Sequence, residues 1–206
     1  GSFGPDDRRR KYSSEIQRAA ERGSRLTRQL LAFARQEVVR RQVLDANQIV
    51  QGVQEMLKRT AEDNIELVVT LDSELGLISA DRGRLEQVLL NLFINATDAM
   101  PDGGKVFLRS FNARYDRPFE DRHTRLPPGD WVVLSVSDTG LGIPEDIRDR
   151  IFEPFFTTKR PGEGTGLGLS TVLGVVRQFD GHVTVYSEQG RGTTVQVFFP
   201  RAEEDA

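Results

Sequence analysis

The chain has 206 residues, 37% of them hydrophobic and 29% charged, which is enough apolar material for a sizeable core and excludes a disordered or collagenous chain. A formal net charge of −3 argues against a nucleic-acid partner, and the absence of cysteine removes thiolate nucleophiles, disulfides and cysteine-ligated metal sites. No apolar run approaches the roughly 18–20 residues that a membrane-crossing helix requires, and no signal-peptide core opens the chain.

Gly1-Ser2 reads as a tag remnant, with residues 1–7 as a disordered start. From about Arg8 to Arg35 there is no proline, and Ile16, Ala19 or Ala20, Gly23, Leu26 or Thr27, Leu30 and Phe33 or Ala34 recur at three- and four-residue steps. This predicts a long amphipathic helix over 8–37. Such a helix is marginal alone, so its stripe needs a partner, either its own domain or another helix of a bundle. A linker over 38–44 leads to a second helix from Asp45 to about Thr60, with Ile49, Val53, Met56 and Leu57 on one face. Residues 65–71 and Leu77–Ala80 read as strands.

Asp81 is placed to cap a helix from about Arg82 to Met100, whose buried face is Leu85, Val88, Leu89, Leu92, Phe93 and Ala96. Pro101-Asp102-Gly103-Gly104 ends it with turn chemistry. Strands over 105–111 and 131–137 then flank a polar, proline-bearing excursion, 112–130, which reads as a surface loop containing His123. A short helix follows Pro144, then a stretch with Pro154, Pro161 and glycines at 162, 164, 166 and 168. A helix over 168–179 and strands over 183–187 and 193–199, joined by a turn at 189–192, complete the pattern, and 201–206 is a polar tail. The sum is a long N-terminal helix followed by an α+β domain over 45–200, with helices on one face of a mixed sheet.

Three clusters carry chemistry. Asn91, Asn95 and Asp98 lie three or four residues apart on one helical face, where an amide oxygen at Asn95 suits a Mg²⁺ neutralised mainly by phosphates; the pattern also fits a solvated face. Asp138-Thr139-Gly140-Leu141-Gly142 follows a strand, so an ionised Asp can accept from a purine amino group while the glycines let backbone approach the ring; a structural turn fits as well. Gly162 to Ser170 is glycine-dense and runs into an apolar helix, whose first N–H groups can cradle phosphate oxygens. It is neither a P-loop, lacking Gly-Lys-Ser/Thr, nor a dinucleotide fingerprint, lacking the preceding strand.

Taken together and in this order, the clusters resemble the ATP-binding catalytic domain of two-component sensor histidine kinases, within the wider gyrase, chaperone and mismatch-repair ATPase superfamily. Asn91 to Asn95 resembles the N box and Asp138 to Gly142 the first glycine box. Phe152-Glu153-Pro154-Phe155-Phe156 resembles the F box, Gly164 to Gly168 the second glycine box, and Gly192-Thr193-Thr194 the terminal glycine-threonine element. The resemblance implies a two-layer α/β sandwich of the histidine-kinase/gyrase type, with ATP between the N-box helix and a lid over about 143–165. It implies ATP contacts from Asn91, Asn95, Asp98, Asp138, Gly140, Gly142, Lys159, Gly164, Thr165, Gly166, Leu167, Gly168 and Thr194, with Asn95 on Mg²⁺ and Asp138 on adenine. Lys159 would act beside Asn95 in catalysis as a charge partner of the β- or γ-phosphate, and Phe152, Phe155 and Phe156 would anchor the lid.

Two departures shape the functional expectation. Hydrolases of the superfamily carry a glutamate one turn before the metal-binding Asn, where this chain has Asn91, so water attack lacks its base and transfer to another group is favoured. Residues 15–37 resemble the second helix of the dimerisation and phosphoacceptor hairpin, whose first helix would bear the acceptor histidine. His123 and His182 both fall outside that pattern, so no phosphoacceptor is named. The expectation is a bacterial, cytoplasmic kinase fragment that binds Mg²⁺-ATP and phosphorylates a histidine on a helix of its parent or another chain, for relay to a response-regulator receiver domain. The parent would be a homodimer, this piece a weak dimer or monomer. A non-catalytic nucleotide-sensing and interaction module is the alternative, and an ATP hydrolase the third.

Overall fold

The computed structural model describes residues 40–60, 64–121, 124–160 and 164–203; the expected tag remnant and helix over 1–37, His123 and the last three tail residues lie outside the described residues. The described residues divide between two units, 40–156 with 166–203, and 157–160 with 164–165. The larger unit is an α+β sandwich. Its sheet runs β1 (Gln42–Leu44), β3 (Leu77–Ala80), β9 (Gly192–Ala202), β7 (Gly129–Asp138), β4 (Gly104–Tyr115) and β2 (Ile65–Thr70). β8 (His182–Glu188) shares with β3 the side of β9 opposite β7. β2 and β4 pair in parallel; the other ladders of this sheet are antiparallel.

Three helices cover one face of the sheet. α1 (Ala46–Thr60) starts where the Asp45 carboxylate accepts the Asn47 N–H at 2.8 Å. Its buried stripe is Ala46, Ile49, Val50, Val53 and Leu57, whereas Met56, expected inside, sits at the edge of the stripe and is exposed. α2 (Arg82–Asp98) is capped as expected, Asp81 Oδ1 accepting the Arg84 N–H at 3.1 Å. Its buried side chains are the six expected ones, and each fully buried Leu or Phe stabilises the fold by about 1.5–3 kcal/mol over an exposed one. α3 (Gly168–Gln178) buries Val172, Val175 and Val176 against the same core.

The excursion at 112–130 is a correction. β4 continues to Tyr115, β7 begins at Gly129, and between them β5 (Phe119–Asp121) and β6 (Thr124–Leu126) form a hairpin instead of a surface loop. The physical reason is a second, smaller core on the sheet face away from the helices. There Leu126, Trp131, Val133 and Phe198 are buried, with Phe111, Tyr115 and Phe119 packed on them. Hence β7 is buried at every position from Trp131 to Val136, on both faces. The last strand likewise extends beyond 199 to Ala202, into what reads as tail, because its end pairs with β3.

His182 opens β8 under this hairpin. Its Nδ1 lies 2.9 Å from Thr124 Oγ1, and its ring meets Trp131 edge-on at 5.3 Å. Burial, and secondarily the Arg177 charge, lower its pKa from 6.5. A histidine whose folded pKa is depressed contributes stability present above its unfolded value and lost as pH falls below it. Thermal melts from pH 8 to 5 are expected to show His182→Gln losing less stability below pH 6.5 than the parent chain; parallel curves would exclude this role.

Candidate functional site

The site is built where α2, α3 and the ends of β7 and β9 meet. Asp138 is the last residue of β7, and its Oδ1 accepts the Gly140 N–H at 2.9 Å and the Thr193 N–H at 3.2 Å. Burial pushes its pKa above 3.8 and outweighs the two N–H donors, which pull it down. Both bonds fall on Oδ1, which leaves Oδ2 to accept from a ligand amino group.

The glycines around it are close-approach positions. A Cβ on Gly140 would lie 2.4 Å from the Ala99 carbonyl oxygen, and one on Gly192 2.0 Å from that of Asp138. Gly142 has φ +67, and its Cβ would lie 2.1 Å from Glu188 O. The loop is further pinned by Leu141 N–H on Ala99 O at 3.0 Å and Gly190 N–H on Leu141 O at 2.7 Å. Ser187, which sequence reasoning missed, accepts the Ile143 N–H at 2.7 Å, lies 2.9 Å from Thr193 Oγ1 and donates to Gly192 O at 3.0 Å. Its only sequence signal is a small hydroxyl ahead of the Gly190 turn. Thr139 Oγ1 similarly accepts the Lys105 N–H at 3.1 Å.

Asn91, Asn95 and Asp98 lie along one side of α2. Gly168 opens α3 beside Asn95: a Cβ there would stand 3.2 Å from both Nδ2 and Oδ1 of the amide. No side-chain hydrogen bond caps α3 and its first turn holds no acidic residue, in contrast to α2 with its Asp81 cap. The first N–H groups of α3 thus carry no capping side chain and start next to a neutral amide oxygen, a donor set of the kind that suits phosphates with a hard cation. Gly166, at φ +65, comes so close to Phe155 that a Cβ would lie 2.3 Å from its carbonyl carbon, and Leu167 is buried just before the helix.

Two expected residues stand elsewhere. Because successive strand side chains alternate faces, Thr194 Oγ1 donates to Ser137 Oγ at 2.8 Å on the sheet face away from the helices, and it is the backbone N–H of Thr193 that reaches Asp138. Phe152 and Phe156 pack on the main core, and the Arg150 guanidinium stands 4.5 Å from the Phe156 ring centroid. Phe155 does not anchor anything there: it is 71% exposed, turned outward by a φ of +68 while its N–H donates to Gly166 O at 2.9 Å. Lys159, Gly164 and Thr165 belong to the smaller unit. Within it the Lys159 N–H donates to Thr157 Oγ1 at 3.2 Å, and a Gly164 Cβ would meet that oxygen at 2.7 Å.

Comparison with known proteins bears on this geometry. Residues 80–203 match the family described as histidine kinase-, DNA gyrase B- and HSP90-like ATPase. The chain is 44% identical over 190 residues to the sensor kinase CckA of Brucella abortus, covering 92% of this chain and 20% of that protein. It is 35% identical over 182 residues to the sensor histidine kinase ZraS of Escherichia coli, covering 88% of this chain and 36% of that protein. It thus spans about a fifth to a third of these relatives. Among solved structures, full-length ShkA in complex with AMPPNP superposes with a TM-score of 0.72 at 29% identity, covering 99% of this chain and 41% of that one. The mycobacterial sensor histidine kinase MprB superposes at 0.61 and 26% identity, covering 80% of this chain and 100% of that one.

Proposed function

Because the chain belongs to the histidine kinase-, DNA gyrase B- and HSP90-like ATPase family and carries the ATP-binding catalytic domain of a sensor histidine kinase, we propose that it transfers the γ-phosphoryl of Mg²⁺-ATP to a histidine on another helix of its parent or on a partner chain. The acceptor would relay it to a response-regulator aspartate. The observation that carries this reading is the uncapped start of α3 beside Asn95, on the same sheet face as the half-buried Asp138 carboxylate.

In this reading Asp138 Oδ2 accepts the adenine amino group, and Gly140 and Gly142 let the loop lie close to the ring. Gly166, Leu167 and Gly168 present the entrance of α3 to the phosphates, while Asn91 and Asp98 complete the polar face around Asn95. Lys159, with Gly164 and Thr165, supplies charge and backbone donors from the glycine-rich segment. Asn95 would hold Mg²⁺, which would supply neutralisation of phosphate charge there. One turn before Asn95 stands Asn91, which cannot take a proton from water, so transfer to a positioned nucleophile is favoured over hydrolysis. Of the two histidines in the sequence, His182 is held in β8 against Thr124 and Trp131, a poor station for an acceptor that must approach ATP in line. No helix among the described residues is long and apolar enough to cross a membrane. We place the domain in the bacterial cytoplasm, with a dimeric parent and a weak dimer or monomer for this chain.

The test is incubation with γ-labelled ATP and Mg²⁺, with and without a supplied histidine-bearing hairpin. The chain is expected to stay unlabelled and the hairpin to gain acid-labile, alkali-stable phosphate. Asn95→Ala should lower that transfer about tenfold or more with an unchanged circular dichroism spectrum, since it removes a contact to a charged ligand. Robust self-labelling, or transfer unaffected by Asn95→Ala, would overturn the assignment.

A further inference from the structure

The residues that enter the larger unit are fastened to both helices of the site. β1 is annexed to the sheet as an edge strand, Gln42 pairing with Ala80 and Leu44 with Ile78. Just before it, the Arg40 N–H donates at 2.9 Å to Oδ2 of Asp81, whose Oδ1 caps α2. Arg41 reaches the far end of α3: Nη2 donates to Asp180 Oδ2 at 2.6 Å, Nε to Ser79 Oγ at 3.2 Å, and the guanidinium stands 5.7 Å from the Phe179 ring centroid. Asp180 is itself fixed. It holds a φ of +58, its N–H donates to Arg177 O at 3.2 Å, and the next N–H, of Gly181, closes onto Val176 O at 3.0 Å.

We infer that Arg41 and Asp180 form a clasp through which the chain preceding the ATP-binding domain sets how α3 sits against Asn95, so that Arg41 is a positioning residue for the nucleotide site. The inference rests on the function proposed above, since α3 must face phosphates for its seating to matter. The mechanics follow from the helix. α3 is 11 residues of rigid rod, its start lacks a side-chain cap, and a Cβ on Gly168 at that start would stand 3.2 Å from the Asn95 amide. A tether at the C-terminal end therefore fixes the tilt that places the N-terminal N–H groups. A pull on Arg40 and Arg41 acts on the α2 cap and the α3 terminus together, which changes the distance between Asn95 and the start of α3. The pair is solvent-exposed, 45% for Arg41 and 71% for Asp180, so it contributes little to overall stability. Position, not stability, is what its loss would change.

Calorimetric titration of the chain with Mg²⁺-ATP tests this. Arg41→Glu and Asp180→Arg should each weaken ATP binding by about three- to tenfold, the range open to a few exposed polar contacts, while the nucleotide-free unfolding midpoint stays within about 2 °C of the parent. The double variant, with the charges exchanged, should regain most of the affinity. Reciprocity requires that ATP slow amide exchange at Gln42–Leu44 in the parent more than in Asp180→Arg. Unchanged affinity in both single variants would overturn the clasp alone. So would a loss that tracks a lower unfolding midpoint and is not recovered by the exchange, since that marks a structural contact. A parent chain that binds no ATP would overturn the proposed function as well, and it is read before any variant.

Discussion

Asp138→Asn is expected to weaken ATP binding by roughly ten- to a hundredfold while leaving the nucleotide-free domain at least as stable at neutral pH. A hydrogen bond to a charged acceptor contributes about 1.5–3 kcal/mol, which sets the size of the loss. The amide keeps an oxygen for the Gly140 and Thr193 N–H groups, so the local fold survives. Its NH₂ then stands where Oδ2 stood and meets the adenine amino group donor to donor. The stability half follows from the raised pKa. A carboxyl whose folded value lies above its unfolded 3.8 stabilises the fold most below that value and loses the contribution as pH rises through the raised one. At pH 7 the half-buried charge is a net cost, which the amide removes. Titration with ATP and GTP and melts from pH 4 to 8 measure both halves. Equal ATP affinity in variant and parent would defeat the adenine assignment, and a less stable variant at pH 7 would defeat the electrostatic account.

Gly192→Ala should be among the most damaging single-methyl changes in the domain, costing roughly 3 kcal/mol or more and taking nucleotide binding with it. Its φ is +98, and the added Cβ would lie 2.0 Å from Asp138 O and 2.9 Å from the carbonyl carbon. Neither strand can retreat: β9 is laddered to β7 on one side and β8 on the other. Gly190→Ala provides the control, since its φ of +80 brings similar backbone strain but its Cβ meets nothing within 4 Å. That variant should lose only about 1–2 kcal/mol. If urea melts show the two equally stable, close approach to Asp138 is not what requires glycine at 192.

What the sequence announced and what it hid divide along physical lines. The face of α2 was readable because six apolar side chains recur at helical spacing and Asp81 stands at the boundary. Asp138 and its glycines were readable because a charged residue and two residues without Cβ interrupt an apolar strand. The β5–β6 hairpin was not, since Asp116, Arg117, Pro118 and the charged run after Phe119 look like a solvated loop, and the aromatics that bury it come from β4, β7 and β9. β1 escaped notice because three residues carry no period and the strand forms only by pairing with β3. The same holds for the knot in which Ser110 Oγ donates to Asn47 Oδ1 at 2.7 Å and Asn112 Nδ2 to Asp72 Oδ2 at 3.1 Å. Ser187 and the clasp at Arg41 are of that kind too, polar pairings made by residues far apart in the chain.

The position of β9 in the sheet has a consequence for how the protein is born. It is the last strand of the described chain, yet β7, β8 and β3 all lean on it, and β1 reaches the rest of the sheet only through β3. On the ribosome the early strands emerge long before their partner, and pairings across such sequence separation form late. Thr193 donates to Asp138 from this same strand, so that carboxylate gains its second backbone donor only when β9 docks. A nascent chain halted before Gly192 should therefore hold β7, β8 and β3 without the strand that joins them.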